Sequence, residues 1–185
     1  MAAITVDVDT GPLQAALRRA VDALEGDRAR DMFDDIGGKL VESTLERFER
    51  EHGPDGQAWK PSQRALEEGG QTLTDKGYLR NSITHVARRD GVDVGTNVPY
   101  GAIHQFGGEI QQQARSQVLA FAARGGRFTS RAAASRRRAG TVRVAFASIG
   151  ARAINMPARP YLGLDEGDRR EVERIVELAI GRAIG

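Results

Sequence analysis

Three histidines, His52, His85 and His104, are the only imidazoles of this chain, and it has no cysteine. No two histidines stand four residues apart, and neither an HxH nor an HExxH pattern occurs, so the usual beginnings of a metal site are missing. Composition alone removes thiolate chemistry and disulfides. Ser43, Ser62, Ser82 and Ser148 carry hydroxyls, but none lies in a GxSxG elbow or beside an evident base. The glycines of GTNVPYG and FGGEI come without the lysine that a phosphate loop needs. His104, in AIHQFGG, reads as a structural imidazole bonded to a backbone carbonyl before it reads as a ligand or base. The expectation is a protein that is no enzyme and takes no metal or cofactor.

The chemistry that does stand out is cationic. Between Ile110 and Leu164 there are ten arginines and no aspartate, glutamate or lysine, which leaves 17 basic against 25 acidic residues elsewhere. The whole chain has a formal net charge of only +2. Such asymmetry points to a polyanionic or acidic partner. Its densest part, GGRFTSRAAASRRRAG, contains Arg127, Arg131, Arg136, Arg137 and Arg138. Three readings stand side by side. The stretch is a solvated loop with too little apolar surface to order itself. Alternatively it neutralises phosphates without reading bases, since only Phe128 is interleaved for stacking. In the third reading its guanidinium groups bridge carboxylates on a neighbouring subunit.

The elements that must position these residues follow from periodicity. At 185 residues the chain is expected to form a single domain, 1–185, with a basic insertion at about 110–156. MAAITVDVDTG has neither the basic nor the apolar region of a signal peptide, and no apolar run approaches a membrane span, so a soluble protein without membrane contact is expected. Ile4, Val6 and Val8 alternate as in a half-buried strand, and Thr10 with Pro12 suits the start of a helix reaching about Leu24. Phe33, Ile36, Leu40, Val41, Leu45 and Phe48 recur at helical spacing, despite Gly37 and Gly38, a pair that suits a kink or a close crossing.

Residues 52–77, with two prolines and several glycines, read as one long ordered loop anchored by Trp59. YLRNSI gives a helical turn, Asp90-Gly91 a hairpin, and VPYGAIHQFGG a short helix ended by Gly107-Gly108. QVLAFAA and TVRVAFASIG read as two strands joined by the arginine loop. Val172, Ile175, Val176, Ala179 and Ile180 form the stripe of a final helix, with Asp165 and Glu166 at its start. The sum is α+β: an antiparallel sheet packed with N-terminal and C-terminal helices, with an inserted basic β-hairpin.

In order, GPDGQAW, LTDKGYLRNSI, VDVGTNVPYGAIHQFGG and MPARPYLGL before an amphipathic helix form a set that resembles the phage virion morphogenesis family, the tail completion proteins of Mu-like phages. The resemblance covers roughly residues 30–109 and 156–184. Gly101 stands where that family usually has alanine, Tyr161 where it usually has phenylalanine, and the basic excursion is longer than expected between its two signature blocks. The resemblance implies a structural virion protein in the neck or at the head-proximal end of the tail, made in the host cytoplasm and working as a homo-oligomeric ring in tail completion and head–tail joining. A tail terminator and an assembly factor absent from the virion are the alternatives. Implied partners are further copies and neighbouring neck, connector, tail terminator or tail tube proteins, with non-specific contact to packaged DNA. Trp59, His104, Gln105, Phe106, Arg159 and Tyr161 are the candidate contact residues, although core scaffolding explains Phe106 and Tyr161 equally well. Arg159, in a proline-bracketed segment that reads as surface, is the first choice for pairing with an acid of the adjacent subunit.

Overall fold

A computed structural model describes residues 11–24, 27–124, 127–129 and 142–184. The strand expected at Ile4–Val8 and the cap at Thr10 lie outside the described residues. Two compact units emerge, one holding the chain up to Gly108 together with Pro157 onward, the other Glu109–Met156.

The first unit is built on its helices. α1 (Gly11–Ala23) and α2 (Arg28–Arg50) follow the predicted periods, and α5 (Glu166–Ile184) closes the chain. α2 is long enough to serve two cores. Its N-terminal half sends Met32, Phe33 and Ile36 against Leu13 and Ala20 of α1 and Val172, Ile175 and Val176 of α5. Its C-terminal half sends Phe48 into a second cluster with Trp59, Leu79, Ile83, Tyr161 and Leu162. Each aromatic buried in this way stabilises the fold by about 1.5–3 kcal/mol relative to exposure.

A hairpin of β1 (Thr84–Ala87) and β2 (Val92–Gly95) packs on α2. Asp90 and Gly91 lie in its turn, which is closed by the Arg88 amide donating to the Gly91 carbonyl at 2.8 Å. Here the glycine pair of α2 separates into two roles. A Cβ on Gly37 would come within 2.8 Å of Val92 Cγ2 and nearer still to the His85 ring, whereas one on Gly38 would meet nothing within 4 Å. The pair therefore marks a close crossing, against a hairpin, and Gly37 alone makes it possible.

The stretch expected to be one long loop contains a helix, α3 (Gln63–Glu68), started by Ser62, whose hydroxyl accepts from the Ala65 amide at 3.2 Å. None of its residues is buried, so it has no apolar period to betray it. A 3-10 turn at Arg80–Ser82 and α4 (Gly101–Phe106) stand where the sequence put them, α4 ending at Gly107 in the left-handed region at φ 70°.

The second unit, among the described residues, is all strand: β3 (Gly108–Gln112), β4 (Arg115–Arg124), β5 (Arg127–Thr129), β6 (Val142–Ile149) and β7 (Arg152–Met156). β3 pairs with β7, and β5, β4 and β6 form an antiparallel sheet in that order. The fold class is α+β, with the strands of the described residues divided among three small sheets.

Candidate functional site

Residues 157–165, PARPYLGLD, join α5 to the rest of the chain. Pro157 and Pro160 lack amide hydrogens and fix φ, so the segment cannot enter a regular ladder and its carbonyls must find partners elsewhere. Side chains supply them. Trp59 Nε1 donates to the Pro160 carbonyl at 2.9 Å. Gln105 donates to the Leu162 carbonyl at 2.9 Å, while its own oxygen accepts from the amides of Tyr161 and Leu162, both at 3.0 Å. Arg47 donates to the carbonyls of Tyr161 at 3.2 Å and Gly163 at 2.9 Å. The Arg159 amide donates to the His104 carbonyl at 2.7 Å, and its guanidinium to the Lys60 carbonyl at 2.7 Å. Phe48 packs its ring against Trp59 and Tyr161, with centroids 5.5 and 5.3 Å away.

Arg47 then ties this segment to the start of α5. Its other nitrogen donates to Asp165 at 3.1 Å and to Asp168, which is buried. The two aspartates brace each other: the Asp168 amide donates to Asp165 at 2.8 Å and the Asp165 amide to Asp168 at 3.0 Å. This reciprocal capping satisfies amides that a helix start leaves unpaired. Burial works against the Asp165 charge, but the Asp168 amide and Arg47 outweigh it and hold its carboxyl below the usual value.

The candidate contact residues fall into two groups. Trp59, Gln105, Arg159 and Tyr161 are buried, and their bonds hold the first unit together. Arg159 corrects the expectation of a surface arginine. It is 4% exposed, because the two prolines aim its side chain at the carbonyls of the Trp59 loop, not at solvent. Burial lowers its pKa. Phe106 is 57% exposed and Tyr100 is 46% exposed, both at α4. His104, half-buried, stacks edge-on against Tyr100 at 5.9 Å, and its Nδ1 has no hydrogen-bond partner among the described residues. Burial, then the charge of Arg159, lowers its pKa, which favours the neutral imidazole. Of the six, Phe106 offers the most surface to a partner.

Arg127 lies in β5, whereas Arg131, Arg136, Arg137 and Arg138 lie outside the described residues. Sequence reading missed Arg47 and Asp168. A signal existed, since Arg47 stands beside Phe48 and four residues after Ser43, three after Thr44, on the face that carries Leu40 and Ile36.

Among the described residues no group of three or more histidines, aspartates or glutamates is placed to hold a metal ion. A cleft of about 590 Å³ opens beside α1 and α2, lined mainly by apolar side chains including Leu13, Leu17, Phe33 and Val92. No described helix is long and apolar enough to cross a membrane.

Comparison with known proteins agrees with the motif order. The chain is 26% identical over 190 residues to the "Putative capsid assembly protein G" of Escherichia phage Mu, covering 98% of this chain and 96% of that protein. It is 38% identical over 74 residues to the Mu-like prophage FluMu G protein 2 of Haemophilus influenzae, covering 40% of this chain and 49% of that protein. No solved structure matches. The model of the phage virion morphogenesis family matches residues 8–180, and the chain belongs to that family.

Proposed function

We propose that this protein completes the tail at its head-proximal end and helps join it to the head, acting as a homo-oligomeric ring in the neck. The observation that carries this reading is the allocation of charge to a compact unit of its own. Glu109–Met156 contains nine arginines against one acid, Glu109, while the other 24 acids of the chain lie in the other unit. In a ring, that charge is multiplied by the copy number and meets acidic surfaces of neighbouring copies, of tube or connector subunits, or phosphates without sequence preference. Protein contact is the favoured target, because a strong grip on phosphates impedes DNA that must move. Phe106 adds an apolar contact to this cationic one.

The experiment is the composition of purified particles, followed by a reconstruction of the neck. A stoichiometric ring at the head-proximal tail end supports the reading. Absence from particles whose tails still depend on the protein favours an assembly factor, the reading to which the printed name of the phage Mu relative, a capsid assembly protein, lends weight.

A further inference from the structure

The apolar cleft beside α1 and α2 has the dimensions of a short extended chain. Along α1 it is lined by Leu13, Leu17 and Val21, four residues apart and therefore on one face of the helix. Phe33 of α2 and Val172 of α5, both buried, line it as well, together with Val92 of the hairpin. Leu17, Val21 and Val92 are only half-buried, so among the described residues their apolar surface is left partly uncovered. The whole cleft belongs to the first unit.

Residues 1–10, MAAITVDVDT, lie outside the described residues, and their sequence alone is used. Ile4, Val6 and Val8 alternate with Thr5, Asp7 and Asp9, so an extended chain there has one apolar face and one polar face. The lengths agree. Ile4 to Val8 spans about 13 Å at the rise of a strand, and Leu13 to Val21 spans about 12 Å at the rise of a helix. Between them Asp9, Gly11 and Pro12 are residue types that turn a chain. A reversal at that point brings Val8 to Leu13, Val6 to Leu17 and Ile4 to Val21.

We infer that Ile4–Val8 folds back along α1 of its own chain and seats its apolar face in this cleft, completing the first core. Its own segment is the occupant because the chain enters α1 at Gly11, two residues from the cleft wall at Leu13. A flexible tether that short holds the segment at an effective concentration of about millimolar, which a second copy in dilute solution does not match. Thr5, Asp7 and Asp9 then face water. The inference stands apart from the ring reading, since it concerns a single copy.

Absence of native cysteine makes the test clean. A chain bearing Val6→Cys with Leu17→Cys is oxidised mildly, beside one bearing Thr5→Cys with Leu17→Cys. The expected result is a disulfide within one chain that forms about tenfold faster from position 6 than from position 5, because neighbouring residues of a strand point to opposite faces. Equal rates, or no disulfide within the chain from either position, overturn the inference. Chains bearing Val6→Cys alone are then mixed with chains bearing Leu17→Cys alone. A mixed dimer that forms as fast as the disulfide within one chain puts the segment on a neighbouring copy and overturns the inference too. A thiol-free measurement accompanies these: Val6→Asp in the full chain, probed with ANS, a dye that reports exposed apolar surface. Its fluorescence should rise several-fold over wild type while circular dichroism keeps its helix signal. Wild type that binds the dye as strongly as Val6→Asp has an uncovered cleft, and the inference fails.

Discussion

Arg47 and Arg159 of the first unit differ sharply from the arginines of the second. Both are buried, at 5% and 4% exposure, with guanidinium nitrogens donating to carbonyls of their own chain, and Arg47 donates to aspartates besides. The nine arginines of Glu109–Met156 share their segment with one acid, and the described backbone there pairs strand to strand. The difference teaches that an arginine turns inward where the chain leaves carbonyls without ladder partners and places carboxylates within reach. Residues 157–165 do both; in the second unit Arg115 and Arg152 are exposed instead.

The strongest way to break this contrast is to remove Arg47. Arg47→Met leaves Asp168 buried without its cation and strips donors from two carbonyls, so a loss of about 3–5 kcal/mol is expected from urea unfolding. Acid reaches the same lock from the other side. Asp165 has its folded pKa below the ordinary 3.8, so its contribution is present above that value and disappears as pH falls through the folded one. The urea midpoint should therefore drop on acidification in the wild-type chain, and drop less in Asp165→Asn. A midpoint indifferent to both changes would show that α5 is held by its apolar stripe alone.

Arg159→Ala comes next. Its side chain donates to the Lys60 carbonyl from a buried position, so the variant should lose roughly 1–3 kcal/mol as that group goes unsatisfied. Reading the segment as surface predicts no loss of stability and a defect in subunit joining alone. Denaturation together with particle yield separates the two: an unchanged midpoint with failed assembly would restore the surface role.

Much of the first unit was legible because its signals are local. The periods of α1, α2 and α5, the Asp90-Gly91 turn and the Gly107 stop each lie within one stretch of sequence. The lock was not, because Arg47 and Asp168 are 121 positions apart and each looks, by itself, like an ordinary charge near a helix end. Proline bracketing at 157–160 signalled a segment outside any helix, and the segment lies in neither helix nor strand, but the direction of Arg159 depends on where the Trp59 loop returns, and no spacing reports that. α3 escaped for the opposite reason: a six-residue helix with no buried residue leaves no apolar pattern. In the second unit, the apolar runs QVLAFAA and TVRVAFASIG anticipated β4 and β6.

A smaller effect, of opposite sign, tests how tightly the first unit is satisfied. Tyr161 is fully buried, its hydroxyl has no hydrogen-bond partner among the described residues, and burial pushes its pKa up to about 12. Its ring packs on Phe48, while its oxygen is desolvated without return. Tyr161→Phe keeps the ring and removes the orphan, so stability should rise, by about 1 kcal/mol. Loss of stability instead would reveal a partner for the hydroxyl.

The smallest expected effect on stability belongs to the arginines with which the sequence is most conspicuous. Replacing Arg127, Arg131, Arg136, Arg137 and Arg138 by glutamine keeps chain length and polarity while removing five positive charges. The lock on residues 157–165 draws its donors from Arg47, Trp59, Gln105 and Arg159, none of which is changed. The urea midpoint should therefore stay within about 0.5 kcal/mol of wild type, the ordinary range for changes away from cores and buried networks. Assembly should behave otherwise. If these charges meet an acidic protein surface, heads and tails accumulate unjoined; if they meet phosphates, particles form but eject DNA poorly. Salt should mimic either defect in the wild-type chain, since contacts between exposed charges weaken as ionic strength rises. A variant that folds, assembles and infects like wild type would leave the solvated loop as the reading that stands, and the contrast between the arginines of the two units would then concern stability alone.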